Sequence, residues 1–168
     1  MKTSLIAALF LSTLAAATPY TPAPPYVAPP PTVGKAVVVN NCAFAVTLWA
    51  VGGSVSGPYT LKAKGGSYSE TLTWDPKSGG RALKVTCSPD GLYKAAPQTI
   101  FAYTLDGSKV WYDASDIYGD AFAGHKVFVS SADKSCPTIS WPYGKPPAGS
   151  QVKTCTSYKD ITYTLCAY

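Results

Sequence analysis

Nine residues, Trp111 to Gly119, hold three aromatics (Trp111, Tyr112, Tyr118), two carboxylates (Asp113, Asp116) and a glycine, and a third carboxylate, Asp120, follows at once. Glu70 and Asp75 supply further acids elsewhere in the chain. Glycoside hydrolysis needs two carboxyl groups across a cleft, one protonated and one ionised. Acids beside aromatics can also hold a sugar without cutting it, by stacking and hydrogen bonding. Asp113 has a plainer reading: an Asp two residues before Ser115 suits a turn whose carboxylate accepts backbone N–H bonds. Other chemistries have less to draw on. The single histidine, His125, follows Gly124 and reads as an exposed turn residue. No Gly-x-Ser-x-Gly occurs, so a Ser or Cys triad has little support. With one histidine and no Cys-x-x-Cys, neither a metal nor another cofactor is expected.

The elements that must position these residues read as strands. Val37-Val38-Val39 opens one, and Phe44, Val46 and Leu48 alternate with Ala45, Thr47 and Trp49. Tyr59–Leu61 follows Gly57-Pro58, and Tyr68 to Trp74 follows the Gly65-Gly66 turn. Residues 75–80 form a turn cluster, and Ala82 to Cys87 continues as a strand. Ile100 to Leu105 passes through Asp106-Gly107, a hairpin signal, into Lys109–Tyr112. Lys126–Ser130 and Ile161–Leu165 complete the set. No segment carries a 3.6-residue apolar repeat. Short strands with 14 glycines and 15 prolines argue an all-β sandwich, with a barrel second.

Residues 1–17 read as a secretory signal: Lys2, an apolar run from Leu5 to Leu14, then Ala15-Ala16-Ala17 before the predicted Thr18 terminus. That terminus and the single histidine exclude the N-terminal histidine pattern of secreted copper oxygenases. Residues 18–33 hold seven prolines and read as a stiff, extended spacer. Residues 34–168 then form one domain. No membrane span, lipid-anchor tail or Asn-x-Ser/Thr sequon is expected. Without Lys2, 13 basic residues face 9 acidic ones, scattered and with one arginine, Arg81. That mild basicity argues against a nucleic-acid partner. In a secreted chain, Cys42, Cys87, Cys136, Cys155 and Cys166 read as disulfides with one left over. Tyr112, Tyr118, Trp141, Tyr143 and Tyr158 sit next to turns or prolines, where a glycan or a protein could stack.

Several of these residues also carry a family resemblance. Ala36 to Trp49 with its Asn40-Asn41-Cys42, Leu61 to Tyr68, and Trp111 to Gly119 occur in the order found in thaumatin-like proteins. A closer match is to small fungal secreted proteins of antigenic thaumatin-like, Blastomyces yeast-phase-specific type. It is carried by Asn40-Asn41-Cys42, Gly91-Leu92-Tyr93, Pro97 to Tyr103, Val110 to Asp113, Gly119 to Gly124, Cys136-Pro137 and Pro147 to Val152. The cysteine-dense region of the large plant proteins is absent.

The resemblance implies a disulfide-bonded thaumatin-like β-sandwich. It pairs Cys42 with Cys166 and leaves Cys136 to pair with Cys155. Cys87 remains as a free thiol, expected to be a small buried hydrophobe. Glucan-cleaving or glucan-binding members carry three acids: a Glu in Leu-Ala-Glu-Phe/Tyr, an Asp in Asp-x-Ser and an Asp in Val-Asp-Gly. Here those positions hold Ala102, Asp113 and Tyr118. With two of three gone, the expectation is a non-catalytic secreted or cell-surface antigen or adhesion-type protein, wall-associated, contacting a host surface protein or cell-wall β-glucan. The alternative is a β-1,3-glucan-binding or weakly hydrolysing protein with a reduced cleft of Asp113, Asp116, Tyr118, Asp120 and Tyr112.

Overall fold

A computed structural model describes residues 31–168. The expected signal segment and residues 18–30 of the Pro-rich tract lie outside the described residues. No helix occurs among the described residues, and so none long and apolar enough to cross a membrane. The strands are β1 (Lys35–Asn40), β2 (Val46–Val51), β3 (Val55–Leu61), β4 (Gly66–Thr71), β5 (Arg81–Thr86), β6 (Gln98–Asp106), β7 (Lys109–Ile117), β8 (Val127–Ser131), β9 (Ile139–Trp141), β10 (Lys153–Thr156) and β11 (Ile161–Leu165). They form two sheets, ordered β4-β1-β11-β8-β9 and β10-β7-β6-β5-β2-β3. Two separate sheets make a sandwich and exclude the barrel.

Period-two alternation decides which side chains fill the space between the sheets. Ala36 and Val38 of β1, Phe101 and Tyr103 of β6, Val110, Tyr112 and Ala114 of β7, and Ile161, Tyr163 and Leu165 of β11 all point inward and are buried. Each Val, Leu, Ile or Phe buried in this way stabilises the fold by roughly 1.5–3 kcal/mol. Phe101 of one sheet meets Tyr163 of the other with ring centroids 5.7 Å apart.

The first and last strands, β1 and β11, form the only parallel pair among the described residues. Just beyond it Cys42 bonds Cys166, closing a 124-residue separation, as the resemblance implied. Asn40 of the Asn-Asn-Cys segment is fully buried. Its amide donates to the carbonyls of Phe44, Leu61 and Lys62 at 2.9–3.1 Å, and its Oδ1 accepts from Cys42 N–H. That satisfies three carbonyls, at the end of β3 and in the loops beside it, that would otherwise be costly to bury.

Both open sides of the sandwich are clasped. On one, Cys136 bonds Cys155 of edge strand β10, and the Tyr112 hydroxyl donates to the Pro137 carbonyl. On the other, Tyr59 of edge strand β3 packs on Tyr68 of edge strand β4 at 4.9 Å.

The structure departs from the sequence reading in places. β3 runs through Pro58 instead of starting after it, and an edge strand tolerates a residue with no N–H. β4 ends at Thr71, so Trp74 leaves the sheet and is exposed. The β6–β7 hairpin turns on Gly107-Ser108, one residue later than Asp106-Gly107, with Asp106 paired to Lys109. The three-residue β9 and four-residue β10 have no counterpart in the sequence reading.

Candidate functional site

β7 carries the residues with which the sequence reading began, and its pleat separates them. Trp111 and Asp113 face outward while Tyr112 and Ala114 face the core. Asp113 and Asp116 are an odd number of residues apart, so they point to opposite faces of the sheet. Asp113 sits in mid-strand opposite Ala102, not in the turn that its spacing from Ser115 suggested.

Cross-strand register builds the floor around Asp113. Val51 of β2 lies opposite Ala82 of β5, Ala82 opposite Ala102 of β6, and Ala102 opposite Asp113 of β7. Two outward alanines on adjacent central strands leave a trough where larger side chains would fill the face. The result is an open groove of about 390 Å³, floored by Val51, Ala82 and Ala102 and bordered by Trp111, Asp113 and Arg81. A second hollow of about 450 Å³ shares Thr104 and Trp111 with it and extends to Trp74 and Asp106. Trp111 is 43 % exposed and Trp74 is 55 % exposed. Gly80 borders the groove in close approach to β6, since a Cβ there would lie 2.4 Å from Thr104 Oγ1.

Arg81 holds the end of the groove in place. Its Nε and Nη2 donate to the two oxygens of Glu70 at 3.0 and 2.8 Å, a two-pronged pair bridging the sheets. Tyr68 and Tyr103 hydroxyls also donate to Glu70. Burial opposes ionisation of Glu70, but the bonds from Arg81, Tyr103 and Tyr68 outweigh it and hold the carboxyl below its usual range. Arg81 Nη1 lies 3.9 Å from Asp75, which itself accepts N–H bonds from Gly53, Lys77 and Ser78. Those backbone bonds keep Asp75 strongly acidic. Neither Glu70 nor Asp75 is placed to exchange a proton with a ligand.

Asp113 differs. Its Oδ1 is buried without a hydrogen-bond partner. Burial pushes its carboxyl above the ordinary value, offset in part by the Ala114 N–H.

The remaining expected site residues scatter. Asp116 lies opposite Thr99, and both its oxygens are buried without a hydrogen bond of normal geometry. Burial pushes it up to about 6; nearby Thr99 eases the shift and Asp120 adds to it. Tyr118, exposed and with φ +61°, and Asp120, 3.7 Å from Lys145, belong to the loop after β7. Tyr112 and Trp141 are core residues, so their side chains are not contact surfaces. Tyr143 and Tyr158 are exposed, and His125 is exposed with its ring edge-on to Phe44. Cys87 corrects the buried-hydrophobe expectation: β5 ends at Thr86, and the thiol next to it is exposed, 3.5 Å from the Ala121 carbonyl. The five expected residues therefore do not form one cleft. The sequence reading missed Trp74, the alanine floor and the Arg81–Glu70 clasp. Alternation along β7 was the one available signal, since it already places Trp111 with Asp113 and away from Asp116.

A sequence model of the Blastomyces yeast-phase-specific protein family, Bys1, matches residues 26–167. The chain belongs to this family. Its curated relatives are fungal. An "Antigenic thaumatin-like protein" of Arthroderma benhamiae is 29 % identical over 80 % of this chain and 71 % of its own length. A "Secreted thaumatin-like protein calA" of Emericella nidulans is 31 % identical over 90 % of this chain and 89 % of its own. Among solved structures, the protein elicitor MoHrip2 of Magnaporthe oryzae superposes with a TM-score of 0.66. That match covers 80 % of this chain and 99 % of that one at 22 % identity, and so speaks to the fold alone. This Bys1-family chain is thus a fungal thaumatin-like β-sandwich with two disulfides. Those bonds, and a relative named as secreted, agree on an extracellular protein.

Proposed function

We propose that this protein is a non-catalytic surface-contact protein of the fungal exterior, holding β-linked wall polysaccharide in the groove between Trp74 and Asp113. The observation that carries this reading is the makeup of the groove. Two exposed tryptophans and an alanine floor suit the apolar face of a sugar ring, and one carboxylate is left to bond a hydroxyl. The arrangement of acids argues against hydrolysis. Asp113 is the one carboxylate bordering the floor, Asp116 faces the core, and Glu70 is saturated by Arg81 and two tyrosines. A hydrolase needs two carboxyl groups facing one bond. β-Glucan is the ligand that the family resemblance names, and the antigen or adhesion role rests on the same outward face.

The test is retention on insoluble β-glucan and chitin-containing wall fractions, with reducing sugar measured in the supernatant. Binding without sugar release, lost in Trp111→Ala, is the expected result. Sugar release that disappears in Asp113→Ala would overturn the non-catalytic reading.

A further inference from the structure

Resting on the polysaccharide reading, we infer that the groove selects sugars bearing a free ammonium group, a glucosamine-type polymer, over their acetylated and neutral counterparts. Three features of the site point there. First, Asp113 is a half-buried carboxylate bordering the groove whose Oδ1 has no hydrogen-bond partner, so a donor that meets its carboxyl finds an under-satisfied acceptor. An ammonium donor forms a charge-assisted bond, roughly twice as strong as the bond from a hydroxyl or an amide. Second, Trp111 stands two residues away on the same face of β7, exposed and bordering the same groove. A cation seated against Asp113 is therefore also beside an indole face, which attracts it.

Third, among the described residues nothing competes for that seat. Arg81 is the one basic side chain bordering the groove, and Glu70 and Asp75 occupy it. Lys84 and Lys109 share the outer face by register, but neither borders the groove. The adjoining hollow adds a second carboxylate, Asp106. The charge of the groove is thus opposite to that of the chain, which is +5 over its full length. A polycation is repelled by the protein at large, so its binding would report this local site and not diffuse attraction.

The experiment is calorimetric titration of the secreted protein, at mildly acidic pH, with three hexasaccharides of equal length: glucosamine, N-acetylglucosamine and β-1,3-linked glucose. The glucosamine hexamer should bind about tenfold more tightly than the acetylated one. Asp113→Asn should bring the two within about twofold of each other, and Trp111→Ala should abolish binding of both. Equal affinity of wild-type protein for all three, or tighter binding of an uncharged hexamer, overturns the ammonium inference and leaves the polysaccharide reading standing. So does an Asp113→Asn protein that keeps the preference. If wild-type protein binds none of the three, the polysaccharide reading fails along with it. The wild-type comparison needs no variant, so it decides even if a substitution impairs folding.

Discussion

At the residue scale, the same amino acid has three fates in this protein. Asp75 is locked by backbone N–H groups, Asp113 is half-buried at the border of the outer groove, and Asp116 is half-buried on the core side of β7. Asp116 has the clearest consequence for stability. The groups around it are Thr99, Tyr163 and Asp120, and none is basic. Its pKa is about 6 in the folded protein, against about 3.9 for an unfolded aspartate. Between those values the folded state holds the proton and the unfolded state does not. Stability from this group is therefore fully present below the unfolded value, falls as pH rises through about 6 and stays low above it. Asp116→Asn should remove that slope. Denaturant unfolding should find the variant about 1 kcal/mol more stable than wild type at neutral pH, allowing for screening at a half-buried site, and equal to it at acidic pH. Glu70 has the opposite sign. Its folded pKa is depressed, so its contribution is present above the unfolded value and is lost as pH falls through the folded one.

At the element scale, the groove exists because of register. Ala82 and Ala102 are adjacent only because β5 and β6 pair as they do, and no sequence pattern announces that two alanines 20 positions apart will share a floor. The strands themselves were largely legible, because Val, Ile, Tyr and Phe alternate through β1, β6, β7 and β11. β9 and β10 were not, since three or four residues beside prolines and serines are too few to display a period. The grouping of Asp113, Asp116 and Asp120 in the sequence misled for a related reason: a strand sends near neighbours to opposite faces. The Arg81–Glu70 clasp was illegible because it joins strands of different sheets. Its importance can be measured. Glu70→Gln keeps the shape but leaves Arg81 without its main partner, and should cost about 2–3 kcal/mol of unfolding free energy. It should also flatten the loss of stability in acid. A neutral result would mean that the clasp does not hold the end of the groove.

At the scale of the whole molecule, the fold is a closed loop. β1 and β11 lie side by side, and Cys42–Cys166 seals them just past their ends. Closing a separation of 124 residues removes much of the conformational freedom of the unfolded chain. A Cys42→Ser, Cys166→Ser double variant should therefore lose about 4–5 kcal/mol, read as a lower midpoint in denaturant with the sheet signal retained in water. The Cys136–Cys155 bond spans 19 positions and should contribute less, about 3 kcal/mol. With its sides clasped and its ends joined, the sandwich leaves open the outer face of β7, β6 and β5, the face we propose for contact with wall polysaccharide. The most direct test of that claim is retention of the secreted protein on insoluble wall polysaccharide, wild type beside Trp111→Ala, with released reducing sugar assayed in the same tubes. The account predicts that wild type is retained, that Trp111→Ala is not, and that neither releases sugar. Equal retention of both proteins, or sugar release by wild type, would contradict it.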